Sequence, residues 1–202
     1  MTIERAARPR RGDTTICAIV TGAANGAGER FARALAASGA RLVLVDRDEI
    51  ALARLRHDLD AVGIVCDVLC DEGVGGMFDV AEEQFGHVDL LINAAGTGYI
   101  RTLGVMRASR EFARRPRERK AFIVNVAANP DPDNGPFSYA GSEIAFNRLS
   151  SGLADSIQGP ELRVLTLDRV ELPEAIADLV DQLCRQIVGD KDEEGTARAA
   201  RC

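Results

Sequence analysis

A chain of 202 residues is long enough to bury one core without disulfides or metals and short for two, so a single domain is expected. A net charge of -6, an aromatic fraction of 4% and no tryptophan argue against a nucleic-acid surface, which needs positive charge and stacking rings. No stretch approaches the roughly 18 apolar residues of a membrane span. Five scattered cysteines (Cys17, Cys66, Cys70, Cys184, Cys202), without a CxxC pair or a histidine at ligand spacing, read as reduced thiols in the cytoplasm and predict no metal site.

In chain order, residues 1–13 carry four arginines and no apolar run, the composition of a flexible end and not of a secretory signal. From residue 14 to 188 short apolar runs alternate with amphipathic stretches. Strands are predicted at 16–21, 41–46, 62–67, 88–93, 121–127 and 162–168. Helices are predicted at 26–38, 48–58, 72–85, 100–115, 137–157 and 173–187, with Gly39 and Gly86 placed to end the first and third. The third helix is the least favoured, because Gly73, Gly75 and Gly76 each cost about 1 kcal/mol in a helix interior. Residues 189–202 are polar, aperiodic and expected to be disordered. The alternation predicts an α/β fold, a Rossmann-type doubly wound parallel sheet of about six strands in one domain.

After the first strand comes TGAANGAG, Thr21 to Gly28, with glycines at 22, 26 and 28 where a strand hands over to a helix. Gly22 permits a tight turn, Gly26 lets the backbone approach a pyrophosphate, and Gly28 lets the helix pack close. The helix start around Asn25, Gly26, Ala27 and Gly28 offers unpaired N–H groups and the positive dipole end to a phosphate. Asp46 ends the second strand, 18 residues after Gly28, where a carboxylate accepts from both hydroxyls of an adenosine ribose. A 2′-phosphate would be repelled there, and Asn25 supplies no positive charge for it, although Arg47 offsets part of the repulsion. The reading is NAD in preference to NADP.

The spacing TGxxxGxG, with four later segments in matching order, resembles the short-chain dehydrogenase/reductase family. Asp67-Val68, at the end of the third strand, matches the family's adenine contact. FGHVDLLINAAG, Phe85 to Gly96, is similar to FGxxDxLVNNAG, and the resemblance places Asn93, Ala94, Ala95 and Gly96 at the cofactor, with Ala94 replacing an asparagine. IVNVAA, Ile123 to Ala128, resembles the strand ending in the catalytic serine, and SYAGSEIAFNRLSSGLA, Ser138 to Ala154, resembles the YxxxK helix. The resemblance implies a homodimer, or a hetero-oligomer with a related subunit, through the helices flanking the site.

The departures fall on the chemistry. Tyr139 matches the family's general acid/base and ribose-contacting tyrosine, but the lysine four residues on is Glu143. A carboxylate about 5 Å away, at an effective dielectric of ~20, disfavours the phenolate by roughly 3 kcal/mol and lifts the phenol further above its ordinary pKa of ~10. The serine position falls on Ala128, or on Ala127, neither of which donates a hydrogen bond; Asn129 is the nearest polar substitute. The relay asparagine falls on Arg101, the proline-glycine pair after the sixth strand reads Arg169-Val170, and the lid and last strand have no counterpart. His57, His87 and the basic run from Arg107 to Lys120 read as structural or solvent-facing.

The first reading is therefore an NAD-binding protein without the catalytic Ser and Lys, acting as subunit, sensor or scaffold. The second is an NAD-dependent oxidoreductase on a small hydroxyl or carbonyl substrate through Tyr139. The third is a fold kept for protein binding without cofactor.

Overall fold

The computed structural model describes residues 15–96, 98–117, 119–127, 135–167 and 173–189, and for 98–101, 135–143 and 173 the backbone alone. The predicted flexible ends, 1–13 and 189–202, lie outside the described residues except for Gly189. In chain order the elements are β1 (Cys17–Thr21), α1 (Gly26–Ala37), β2 (Arg41–Asp46), α2 (Glu49–Asp58), β3 (Val62–Val65), α3 (Asp71–Phe85), β4 (Leu90–Asn93), α4 (Gly98–Arg114), β5 (Ala121–Val126), α5 (Gly135–Ile157), β6 (Leu162–Leu167) and α6 (Pro173–Val188). All six predicted strands and all six predicted helices are present. Their ends move by up to two residues.

The sheet runs β3-β2-β1-β4-β5-β6 and every pair is parallel. Parallel strands need crossovers, and α1 to α5 provide the five that join the six strands in chain order. The order reverses between β1 and β4, so the chain leaves these two strands toward opposite faces and opens a crevice beyond their C-terminal ends. Successive strand residues face opposite ways, and both faces are covered. Val20, Leu44, Ile92 and Val124 pack with Phe31 and Leu35 of α1 and Val180 and Leu183 of α6. Ile19, Val43, Leu91 and Ile123 pack with Met77 and Phe78 of α3 and Phe112 of α4. Burial on both sides is why the strands read as unbroken apolar runs.

α3 forms in spite of its glycines. Val74, Met77, Phe78, Ala81 and Phe85 recur at helical spacing and are all buried. Their burial, about 1.5–3 kcal/mol for each large side chain, outweighs about 1 kcal/mol per glycine. A Cβ on Gly73 would lie 2.6 Å from Cys66 Sγ, so a side chain there would have to displace that sulfur. Gly86 ends the helix as expected, in a left-handed conformation at φ 83°.

The basic run is not a plain solvated face. Arg115, after α4, meets Asp79 at 2.7 Å and Glu82 at 2.9 Å on α3 and Glu111 at 2.7 Å on its own helix, with its guanidinium over the Phe78 ring. Arg119 lies at the N-terminal pole of the sheet, opposite the crevice, and donates to Asp89 at 2.5 and 2.6 Å and to Thr15 O at 2.9 Å. Asp89 also accepts from Cys17 N at 2.8 Å, and His87 Nε2 stands 3.2 Å from it and against Arg119. Cys17, His87 and Asp89 bring three metal-capable atoms within 4.8 Å of one another, but the Arg119 guanidinium already holds the cation's place.

Burial alone would push the Asp89 carboxyl up; His87, Arg119 and the Cys17 N–H outweigh it and hold it below the ordinary carboxylate value. A carboxyl lowered by folding stabilises the fold above its unfolded pKa of ~3.9 and loses that contribution as pH falls through its folded value. Asp89→Ala, which strands Arg119 in a half-buried site, should cost about 3 kcal/mol. Urea unfolding should show this loss at neutral pH, and Asp89→Asn should flatten the stability curve below pH ~4.

Candidate nucleotide site

The crevice begins at the turn from β1 into α1. Gly22 adopts φ 65°, and a Cβ on it would lie 2.5–2.7 Å from the backbone of Ala94 and Ala95. A Cβ on Gly28 would lie 1.9 Å from Gly22 O, so the first turn of α1 rests directly on the preceding loop. Gly26 differs from both: its φ is 56°, and a Cβ there would meet no atom within 4 Å. Packing within the chain demands the first and third glycines; backbone conformation demands the second, which faces open space. Asn25 is exposed and is the N-cap, without a side-chain bond to the helix. The early N–H groups of α1, at Gly26, Ala27 and Gly28, have no intrahelical acceptor and suit an anion.

Asp46, half-buried at the end of β2, faces this turn. Its Oδ2 accepts from Ala24 N at 3.0 Å and its Oδ1 from Asp48 N at 3.0 Å. Each carboxylate oxygen keeps a second lone pair, so the group is fixed in place and still able to accept. Neighbouring Arg47 is exposed.

β3 stops at Val65, two residues earlier than predicted, and Asp67 lies in the following loop, not on the strand. Asp67 Oδ1 accepts from Leu69 N at 2.9 Å and its carbonyl from Cys70 N at 2.9 Å, a turn that leaves Asp67 exposed. Val68 is buried against α4, where a Cβ on Gly104 would lie 2.6 Å from Val68 Cγ2. Arg107 of α4 holds the same loop through Leu69 O and through Asp71 at 2.8 Å.

Beyond β4, Ala94 N donates to Thr21 O at 3.1 Å, Ala95 is half-buried, and Gly96 has φ 79°. Asn93 is 1% exposed, and its side chain is held inside the fold. Its Nδ2 donates to Ser109 Oγ at 3.1 Å and to Asn125 Oδ1 at 3.0 Å, tying β4 to α4 and β5. Asn93 Oδ1 and Asn125 Nδ2 are left buried with no hydrogen-bond partner. Sequence reading missed Asn125 and Ser109. The one signal was register: Asn93 and Asn125 are the fourth residue of LLIN and the fifth of AFIVNV, and parallel pairing sets them side by side.

Tyr139 and Glu143 lie one turn apart on α5, and Arg101 on α4; their side chains are outside the described residues. Ala128, Asn129, Arg169 and Val170 are outside the described residues altogether. Ala127 is buried against Val105, Phe146 and Leu153, in the packing between α4 and α5.

Residues 16–168 match the family model described as short chain dehydrogenase. The chain belongs to the short-chain dehydrogenase/reductase family. Among curated members it is 32% identical, over 90% of its length and 85% of the relative's, to galactitol 2-dehydrogenase (L-tagatose-forming) from Cereibacter sphaeroides. Solved structures with the same fold include 3-ketoacyl-(acyl-carrier-protein) reductase from Brucella melitensis complexed with NADH, at TM-score 0.69 and 22% identity, covering 85% of this chain and 92% of that one. Another is a metagenomic short-chain oxidoreductase in complex with NADP, at TM-score 0.67 and 23% identity, covering 88% and 95% of the two chains.

The three glycines of this family member should separate in a thermal melt. Gly28→Ala and Gly22→Ala, each driving a Cβ into backbone, should cost about 3 kcal/mol. Gly26→Ala should cost only about 1 kcal/mol, the strain of a side chain in the left-handed region.

Proposed function

We propose that the chain binds NAD(H) in preference to NADP(H) and carries little or no turnover of its own. Asp46 carries the first half of this reading: its carboxylate is pinned to the glycine turn through Ala24 N at 3.0 Å. The residues fit the group. The early N–H groups of α1 would hold the pyrophosphate, with Gly26 giving it room, and Asp46 the adenosine ribose. Asp67 and Val68 would border the adenine, and the backbone of Ala94, Ala95 and Gly96 would line the crevice. Bound nicotinamide would supply a hydride donor or acceptor. The nucleotides in the Brucella and metagenomic structures support this use of the crevice.

The second half rests on residue chemistry at the matched positions. A phenol serves as general acid/base when its pKa is brought toward neutrality. The helical spacing sets Glu143, an anion, where the family places a cation, and Ala128 brings no donor to a substrate oxygen. Such a protein works as a regulatory, sensing or structural subunit in the cytoplasm. Its partner would dock on α5, where the apolar side chains of Ile144 and Leu149 are 64% and 41% exposed.

Calorimetry should show NAD binding at least about tenfold tighter than NADP. Asp46→Ala should weaken NAD and narrow that gap; equal or tighter NADP binding refutes the preference.

NADH oxidation with a panel of small ketones and quinones should be at or near background. Glu143→Lys combined with Ala128→Ser should raise it by about a hundredfold, the scale of one acid/base contribution. Robust turnover by the unmodified chain, abolished in Tyr139→Phe, would establish the NAD-dependent oxidoreductase reading instead.

Sedimentation should find a dimer or larger species that Ile144→Glu with Leu149→Glu dissociates. A monomer at every concentration removes α5 as a docking face.

A further inference from the structure

The loop between β3 and α3 holds two cysteines, and the two residues assigned to the adenine lie between them in the order Cys66, Asp67, Val68, Leu69, Cys70. Cys66 is half-buried and Cys70 exposed, and both are free thiols. Two observations bring them together. The Cys66 thiol donates to Asp67 O at 3.4 Å, and the Cys70 N–H donates to that same oxygen at 2.9 Å. Above Gly73, a Cβ would lie 2.6 Å from Cys66 Sγ and 3.6 Å from Cys70 Cβ, so both side chains border one space that the absence of a side chain at Gly73 keeps open. Cys70 is the N-cap of α3 and its side chain makes no capping bond, which leaves the sulfur able to turn.

We propose that Cys66 and Cys70 form a reversible thiol–disulfide site, oxidised by hydroperoxides, that controls the adenine-contacting loop between them. Cys70 meets the oxidant first. Its sulfur attacks the distal peroxide oxygen, the O–O bond breaks, and an alcohol, or water from hydrogen peroxide, leaves with the thiol's proton. The resulting sulfenic acid is attacked by Cys66; the S–S bond forms, the S–O bond breaks, and hydroxide leaves as water with the second proton. Two thiols lose two electrons and two protons, and the peroxide is reduced to an alcohol and water. Burial pushes the Cys66 thiol up, with the nearby Cys70 and Asp67 adding to the effect, which keeps Cys66 protonated until the sulfenic acid forms beside it. A bridge closing so short a loop adds little stability, so it is readily reduced, as a regulatory disulfide must be.

Oxidation removes the S–H that bonds Asp67 O and draws the Cys66 sulfur away from Gly73 toward Cys70. Because Val68 is wedged under Gly104 and Arg107 grips Leu69 O, the loop has no slack, and Asp67 and Val68 must shift. The consequence for cofactor rests on the NAD-binding reading above; the disulfide itself does not.

The full reduced chain treated with equimolar hydrogen peroxide tests both parts. Trypsin releases residues 57–101 as one peptide holding these two cysteines and no third. The expected product is that peptide with an internal disulfide, reversed by dithiothreitol, while Cys66→Ser accumulates a sulfenic acid at Cys70 trapped by dimedone. Sulfinic acid at Cys70 with Cys66 still free, or a bridge from either residue to another cysteine, overturns the site. In calorimetry the oxidised chain should bind NAD about tenfold more weakly than the reduced one. Dithiothreitol should restore the affinity, and peroxide should leave it unchanged in Cys70→Ser. A mapped disulfide with unaltered affinity overturns the control role; a reduced chain that fails to bind NAD refutes the cofactor reading and leaves the mapped disulfide standing.

Discussion

The contact between the first turn of α1 and the carbonyl of Gly22 is the constraint on which the crevice depends. With 1.9 Å between a hypothetical Gly28 Cβ and that oxygen, no side chain can stand there, and α1 enters along a single line. That line brings the helix N-terminus to the end of β1, where the sheet order reverses. It also brings Ala24 to Asp46, so the carboxylate at the tip of β2 is held by the turn it serves. The adjoining loop after β4 passes 2.5–2.7 Å from where a Gly22 Cβ would stand, so Gly22 too must stay bare. The glycine turn and the Asp46 carboxylate are one mechanical unit.

The framework was legible in the sequence because both faces of the sheet are buried. Runs such as RLVLVD and AFIVNV have no polar alternation, and the glycines at 39 and 86 end helices where chain geometry requires a left-handed residue. The glycine turn and Asp46 were legible through spacing alone. The end of β3 was not, because a strand extended through Val65 and Cys66 looks the same in composition as one that stops to form the Asp67 turn. The glycines of α3 misled for a related reason: propensity is a local quantity, and the burial that overrides it involves β1 and β2.

Long-range polar pairs were the other blind spot. Asn93 with Asn125 and Ser109, and Asp89 with Arg119, are joined by register and by crossover geometry, which no local pattern displays. For Asn93 they give the side chain a task that no local pattern displays, joining β4 to β5 and to α4. For the basic run they turn part of what read as a structural or solvent-facing stretch into internal fastening. The cofactor half and the catalytic half of the family motifs also differ in kind. Most of the first group lie in strand-linked turns whose geometry is on view, whereas Tyr139 and Glu143 are argued from residue chemistry and helical spacing.

Arg115 has a further consequence. Its guanidinium lies over the Phe78 ring and among three carboxylates; burial alone would lower its pKa, but Asp79, Glu111 and Glu82 outweigh that and raise it, so no physiological pH removes the charge that fastens α3 to α4. The loop leading into α3 is held by α4 as well, through Arg107 and through Val68 under Gly104. A segment clamped at both edges has little conformational freedom left to lose. Adenine would meet a surface whose ordering entropy was lost during folding, and the entropic cost of association would fall on whatever closes over the opposite end of the dinucleotide.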